Sequence, residues 1–213
     1  MHRSSLLLLL VLPCLSVRAA ELYRLDSANT RVSLDVLMFG FAHITARFDE
    51  ISGELAPGLS VKPGAAAAAA TAGRVDVTIR TASLKCDNTR WNARLLSSTW
   101  FDAERYPEIV YRSDRIDFDA YGRPVVSGHL TLHGQTRDLV LSVNRWVCPE
   151  GARPTDTCSF DAHGRLRRSD YDLPHGLFEG GDEVEISIEG VNAGPLTTRR
   201  DAAQRSLGWQ VRR

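Results

Sequence analysis

The feature that most constrains this chain is a period of two. "RVSLDVLMF" from Arg31 sets Val32, Leu34 and Val36 on one side and Ser33 and Asp35 on the other. The alternation returns in "RVDVTIR", which groups Val75, Val77 and Ile79. It returns again in "EIVYRSDRIDF", "VVSGHLTLHG", "TRDLVLSVNRWV", "CSFDAHGRLRR" and "DEVEISIEGV". Such runs mark strands that bury one face and wet the other. Gly122, Gly134 and the stretch between Cys148 and Cys158 punctuate them at hairpin spacing. One stretch, "NTRWNARLLSSTWF", breaks the pattern, with Trp91, Leu95 and Leu96 near helical spacing. The expectation is an all-β chain of about eight antiparallel strands with one short helix, not a βαβ series.

Two architectures fit that pattern. An extended closed barrel leaves no exposed sheet edge. An immunoglobulin-type sandwich is the alternative, but its Cys…Trp…Cys framework is missing, because Trp146 stands just before Cys148. In "HITARFDEISGEL", Ile44, Phe48 and Ile51 are the inward residues, with a bulge expected among them. "APGLSVKPGAAAAAATAG", bracketed by Pro57, Gly58, Pro63 and Gly64, reads as a flexible hairpin insertion without functional content.

The 213 residues, 43% of them hydrophobic, suffice for one medium domain, and the formal net charge of +0 lacks the basic excess a nucleic-acid partner would call for. His2 and Arg3 precede an apolar run over residues 6–12, and Val17-Arg18-Ala19 offers small residues for cleavage. Residues 1–19 therefore read as a secretory signal, which places the mature chain in the periplasm or outside the cell. The apolar run falls short of the ~20 residues of a membrane span, so no stable membrane insertion is expected. Pro13 before Cys14 does not suit lipoprotein processing. The barrel domain is expected over residues 20–194, followed by a basic tail, 195–213, with five arginines against one aspartate.

Of the cysteines left after cleavage, Cys148 and Cys158 flank a Pro- and Gly-containing turn and are expected to pair in an oxidising compartment. Cys86 is then a half-buried thiol. No His-x-His or Cys-x-x-Cys pattern accompanies them, so no metal site is expected.

No catalytic set emerges either. There is no Gly-x-Ser-x-Gly elbow and no phosphate-binding glycine loop. His129 and His133 are spaced for a helical zinc pair but lie on a strand, opposite Leu130 and Leu132, and read as solvated surface residues. His43, His163 and His175 are isolated, and Asp114, Asp117 and Asp119 lack the frame of a calcium loop.

Several stretches together resemble the YceI-like family of bacterial periplasmic proteins. They are "YRLDSANTRVSLDVLMFGFAHITARFDEISGEL", "WFDAERYPEIVYRS", "GHLTLHGQTRDLVLSV" and "LRRSDYDL" followed by "GDEVEISIEG", in order over residues 23–191. The resemblance implies a lipocalin-like barrel whose hydrophobic tunnel holds a long isoprenoid or other amphiphilic chain. On that expectation the protein is a non-enzymatic carrier of an isoprenoid or quinone-like lipid, with no other cofactor and with a homodimer left open. A stress-protective adaptor and an enzyme acting on a small apolar substrate are the alternatives. The candidate tunnel wall is Val32, Leu34 and Val36, then Phe39, Phe41 and Phe48. Leu95, Trp100 and Phe101 join it from the helix and its exit, and Leu130 and Leu132 from a later strand. The chain departs from the family at Asn92 and Arg94, where members commonly carry an acidic residue and a histidine. It departs again at Asp172, where glycine is usual.

Overall fold

The computed structural model describes residues 23–38, 42–56, 73–86, 89–147, 157–175 and 181–195. Strands β1 (Tyr23–Leu25) and β2 (Arg31–Met38) form one stave, interrupted by a turn. Asp26 causes the interruption: its carboxylate accepts from the Ala28 N–H at 3.0 Å and the Asn29 carboxamide at 2.7 Å. Such an Asx turn competes with strand pairing, and these donors hold the carboxyl below its ordinary range. Strands β3 (Ala42–Phe48) and β4 (Ile51–Ala56) make a second stave, broken at Asp49 and Glu50. Strands β5 (Arg74–Arg80) and β6 (Leu84–Cys86) make a third, broken by the 3-10 turn Thr81–Ser83. There the Thr81 hydroxyl donates to the Tyr106 carbonyl at 2.7 Å.

Five unbroken strands complete the sheet: β7 (Glu108–Phe118), β8 (Pro124–Leu132), β9 (Gln135–Val147), β10 (Ser159–Arg167) and β11 (Glu183–Pro195). Eleven strand segments thus make eight staves, and all the pairings are antiparallel. Tyr23 of β1 faces Leu55 of β4 on one side and Pro195 of β11 on the other, which closes the ring. The expected strand number holds once the three breaks are joined. One continuous sheet replaces the two that a sandwich would require.

Beyond β5 the ring is not sealed by β6, which pairs with β3 alone. Helix α1 (Thr89–Leu96) and the loop after it occupy that end of the barrel. The β8–β9 hairpin turns on His133 at φ 51° and Gly134 at φ 77°, the left-handed pair of a two-residue hairpin turn. Gly134 also lies against Tyr106, whose ring would come within 2.7 Å of any Cβ there.

Two bulges shift the phase of the alternation. Between Ser113 and Arg115 the β7–β8 register slips, so the inward set changes from Ile109 and Tyr111 to Ile116. Asn144 is an extra residue in β9, because Val143 faces Ala162 while Arg145 already faces Asp161. The core lies inside the barrel, with Phe48 and Tyr171 each 1% exposed.

Candidate ligand cavity inside the barrel

A cavity of about 190 Å³ runs inside the barrel. Its wall is built in rows across neighbouring strands. Val32, Ile188, Ala162 and Val143 form one row, Leu34, Ile186 and Gly164 the next, and Val36, Val184 and Leu166 a third. Val77, Ile79, Ile109 and Tyr111 face them from the other side. Of the wall expected from sequence, Val32, Leu34, Val36, Phe48, Leu95, Trp100, Phe101, Leu130 and Leu132 all border the cavity. Phe39 and Phe41 lie outside the described residues, as do residues 1–22, the alanine run and the tail beyond Pro195.

Aromatic side chains fill the helix end. After α1 the chain winds back, with the Phe101 N–H donating to the Leu95 carbonyl at 2.9 Å and Ala103 to Leu96 at 3.2 Å. This satisfies carbonyls that a helix end otherwise leaves open. Trp100 and Phe101 enter the barrel as a result. Trp100 meets Trp91 edge to face at 6.2 Å, and Phe101 meets Phe48 likewise at 6.1 Å. Arg168, 3% exposed, lies under the Trp100 ring at 5.7 Å and donates to the Gly181 carbonyl. Arg94 covers the outside, 5.5 Å from the Trp91 ring and 5.9 Å from that of Trp100. Tyr106 and Pro107 then lead into β7, as the Tyr-Pro step suggests.

The opposite end is a mouth. Arg74, Pro124, Trp146 and Phe160 border the cavity there, and Trp146 is 37% exposed. Strict alternation from Leu139, Leu141 and Val143 would turn Trp146 outward. The extra residue Asn144 reverses the phase, so Trp146 faces Phe160 on the inner side. Sequence periodicity missed both residues, since nothing in "LSVNRWV" marks the bulge.

Polar groups on the wall are few. The Tyr111 hydroxyl donates to the Val126 carbonyl at 3.1 Å and lies 3.3 Å from that of Leu139. Burial, with a smaller push from the charge of Asp114, raises its ionisation well above the ordinary tyrosine range. Arg74 pairs with Asp76 at 2.5 Å. Thr30, 2% exposed, also borders the cavity.

The histidines divide. His129 is on the outer face between Asp114 at 3.0 Å and Asp138 at 2.8 Å, a surface position as expected. His133 is not a solvated surface residue. It is half-buried, edge-on to Tyr106 at 4.7 Å, with Nδ1 3.0 Å from the Tyr171 carbonyl. A carbonyl only accepts, so Nδ1 carries the proton. The reason is its place in the hairpin turn, which folds the ring back over the barrel end. Cys86 is a free, half-buried thiol and Cys158 is buried, while Cys148 lies outside the described residues. Among the described residues no three His, Cys, Asp or Glu side chains gather as metal ligands would, and no helix is long and apolar enough to cross a membrane.

Residues 23–191 match the model of the YceI-like domain family. The chain belongs to the YceI-like family. A UPF0312 protein of Photorhabdus laumondii is 33% identical over 122 residues, which cover 55% of this chain and 62% of that relative's length. The crystal structure of Burkholderia cenocepacia BcnA superposes with a TM-score of 0.62 at 26% identity, covering 78% of this chain and 98% of BcnA. A polyisoprenoid-binding domain from Saccharophagus degradans, implicated in plant cell wall breakdown, superposes at 0.56 with 16% identity, covering 81% of this chain and 98% of that domain. That likeness is one of fold.

The departures from the usual YceI-like pattern have structural roles here. Asn92 accepts the Cys86 N–H at 2.5 Å and so docks α1 on β6. Asp172 sits at φ 54°, the left-handed region where a glycine is at ease. Its carboxylate accepts from the Gln135 carboxamide at 2.7 Å, which ties this turn to the β8–β9 hairpin.

Proposed function

We propose that the chain is a periplasmic carrier holding one long apolar or amphiphilic molecule, an isoprenoid or quinone-like lipid, in the barrel. The observation that carries this reading is the cavity wall, where apolar side chains from β2 round to β11 enclose a narrow space between a filled end and a mouth. At about 190 Å³ it is smaller than the ~300–1,000 Å³ of ordinary small-molecule pockets, which favours a slender hydrocarbon chain inside, with any ring of a quinone-like lipid left at the mouth. Each buried methylene contributes about 0.8 kcal/mol, so a few isoprene units offset the cost of association. The Saccharophagus domain, named for polyisoprenoid binding, supports the same ligand class. The periplasmic setting rests on the secretory pattern of residues 1–19.

Carriage without catalysis fits the placement of the ionisable groups. The histidines with carboxylate partners, His43 beside Asp35 and His129 between Asp114 and Asp138, have exposed side chains, and half-buried His133 is bonded to a backbone carbonyl. Solvent extraction of purified protein followed by lipid analysis tests the reading. An extract containing a prenyl or quinone-like chain supports it, and a protein that yields none and takes up none contradicts it.

A further inference from the structure

Thr30 sits where β2 begins. Arg31 faces Glu189 across the β2–β11 pair, which brings Thr30 beside Gly190. Gly190 in turn faces Phe160, and Phe160 faces Trp146. These four residues make the first inner row at the mouth. Gly190 is required there: a Cβ would lie 2.6 Å from Phe160 Cζ and 3.0 Å from Thr30 Oγ1. The Thr30 hydroxyl is thus held against the aromatic pair, on the wall of an otherwise apolar cavity.

That hydroxyl is buried and has no hydrogen-bond partner among the described residues. A buried hydroxyl in this state carries a standing penalty that an added partner removes. Among the described residues, the other polar side chains on the wall each have at least one partner. Tyr111 bonds the Val126 carbonyl, Arg74 is spent on Asp76, and Arg168 is held by the Trp100 face and the Gly181 carbonyl.

Resting on the carrier reading above, we propose that Thr30 anchors the oxygen-bearing end of the ligand at the mouth. The hydrocarbon chain then points toward Trp100 and Phe101. The group it takes is uncharged, a hydroxyl or a carbonyl. Threonine can both donate to and accept from such a group, and among the described residues the one cation on the wall at the mouth, Arg74, is neutralised by Asp76.

The test is a titration of the full-length secreted protein with geranylgeraniol and with the hydrocarbon of the same skeleton lacking the hydroxyl. Wild type, Thr30→Val and Thr30→Ser are compared, with thermal midpoints confirming that each is folded. Wild type is expected to prefer the alcohol. Thr30→Val, which keeps the shape and removes the hydroxyl, should weaken alcohol binding by about 3- to 10-fold without weakening hydrocarbon binding. Thr30→Ser should keep the preference for the alcohol. Unchanged alcohol affinity in Thr30→Val, or a wild type that binds both chains equally, overturns the anchor and leaves the tunnel standing. A wild type that binds neither chain overturns the carrier reading and the anchor with it.

Discussion

Trp146 lies face to face on Phe160, ring centroids 5.8 Å apart and planes 22° from parallel, at the mouth of the barrel. The pair exists because Asn144 adds one residue to β9. With 37% of its surface exposed, Trp146 contributes less to folding than a core tryptophan. Trp146→Ala is expected to cost about 1 kcal/mol of stability. It should also speed ligand release several-fold, as read by exchange of a labelled prenyl chain. Unchanged release would make the pair an ornament of the sheet edge and not part of the mouth.

Trp100 occupies the filled end and is 6% exposed, between Trp91 and the Arg168 guanidinium. Trp100→Ala removes a buried ring and leaves the cation beneath it without its cover. A loss of about 3–5 kcal/mol in urea unfolding is expected, the range for a core aromatic. Ligand retention should fall with it, because the same ring bounds the cavity. A large stability loss with unchanged lipid content would assign Trp100 to scaffold alone.

Much of this fold was legible because period two is a local property. Val32, Leu34 and Val36 line the cavity as their alternation requires, and so do Val75, Val77 and Ile79. The helix at Trp91 and Leu95 was equally visible, and the Trp100-Phe101 exit follows from it. Each broken stave shows one run in the sequence, from Arg31, across the break at Asp49 and Glu50, and over Arg74–Arg80, so the expected count of staves is right although the short segments β1 and β6 were not read and the segments number eleven. Bulges were not legible in the same way. An extra residue such as Asn144 leaves the pattern intact on either side and only flips its phase, so Trp146 and Phe160 escaped notice. Thr30 and His133 escaped because each owes its setting to partners distant in the chain. Thr30 lies beside Gly190, and His133 lies over Tyr106 and Tyr171.

Two buried phenols predict alkaline sensitivity. Burial, helped by the charge of Asp170, pushes Tyr171 up from 10.0 to about 12, and Tyr111 is raised further. Above pH 10 the unfolded chain releases these protons while the fold retains them. The unfolded state then binds fewer protons, and stability falls as pH rises. The contribution of both tyrosines is intact below pH 10. Between pH 10 and 12 the loss should approach about 1.4 kcal/mol per pH unit for each tyrosine. Urea midpoints at pH 8, 9, 10 and 11 read this directly, and Tyr111→Phe should flatten the slope. Equal midpoints at pH 9 and 11 would contradict it.

Cys148 and Cys158 are expected to be bridged under oxidising conditions, with Cys86 left free. Non-reducing peptide mapping should recover the linked peptide. Closing so short a loop is worth roughly 3 kcal/mol in the chain-entropy model, so reduction should lower stability by about that amount. Binding should not be abolished, since Trp100 and Phe101 lie at the other end of the barrel, but release should quicken, because the cysteines stand two residues from Trp146 and Phe160 at the mouth. A bridge from Cys86 to either partner would rule out this pairing.

The most direct test of the central claim is native mass spectrometry of the protein purified from cells without added lipid. A one-to-one adduct is predicted, stripped only at raised collision energy, whose released mass belongs to an isoprenoid or similar long apolar chain. A spectrum showing the bare mature polypeptide, unchanged after incubation with a prenyl alcohol or a quinone, would contradict the account.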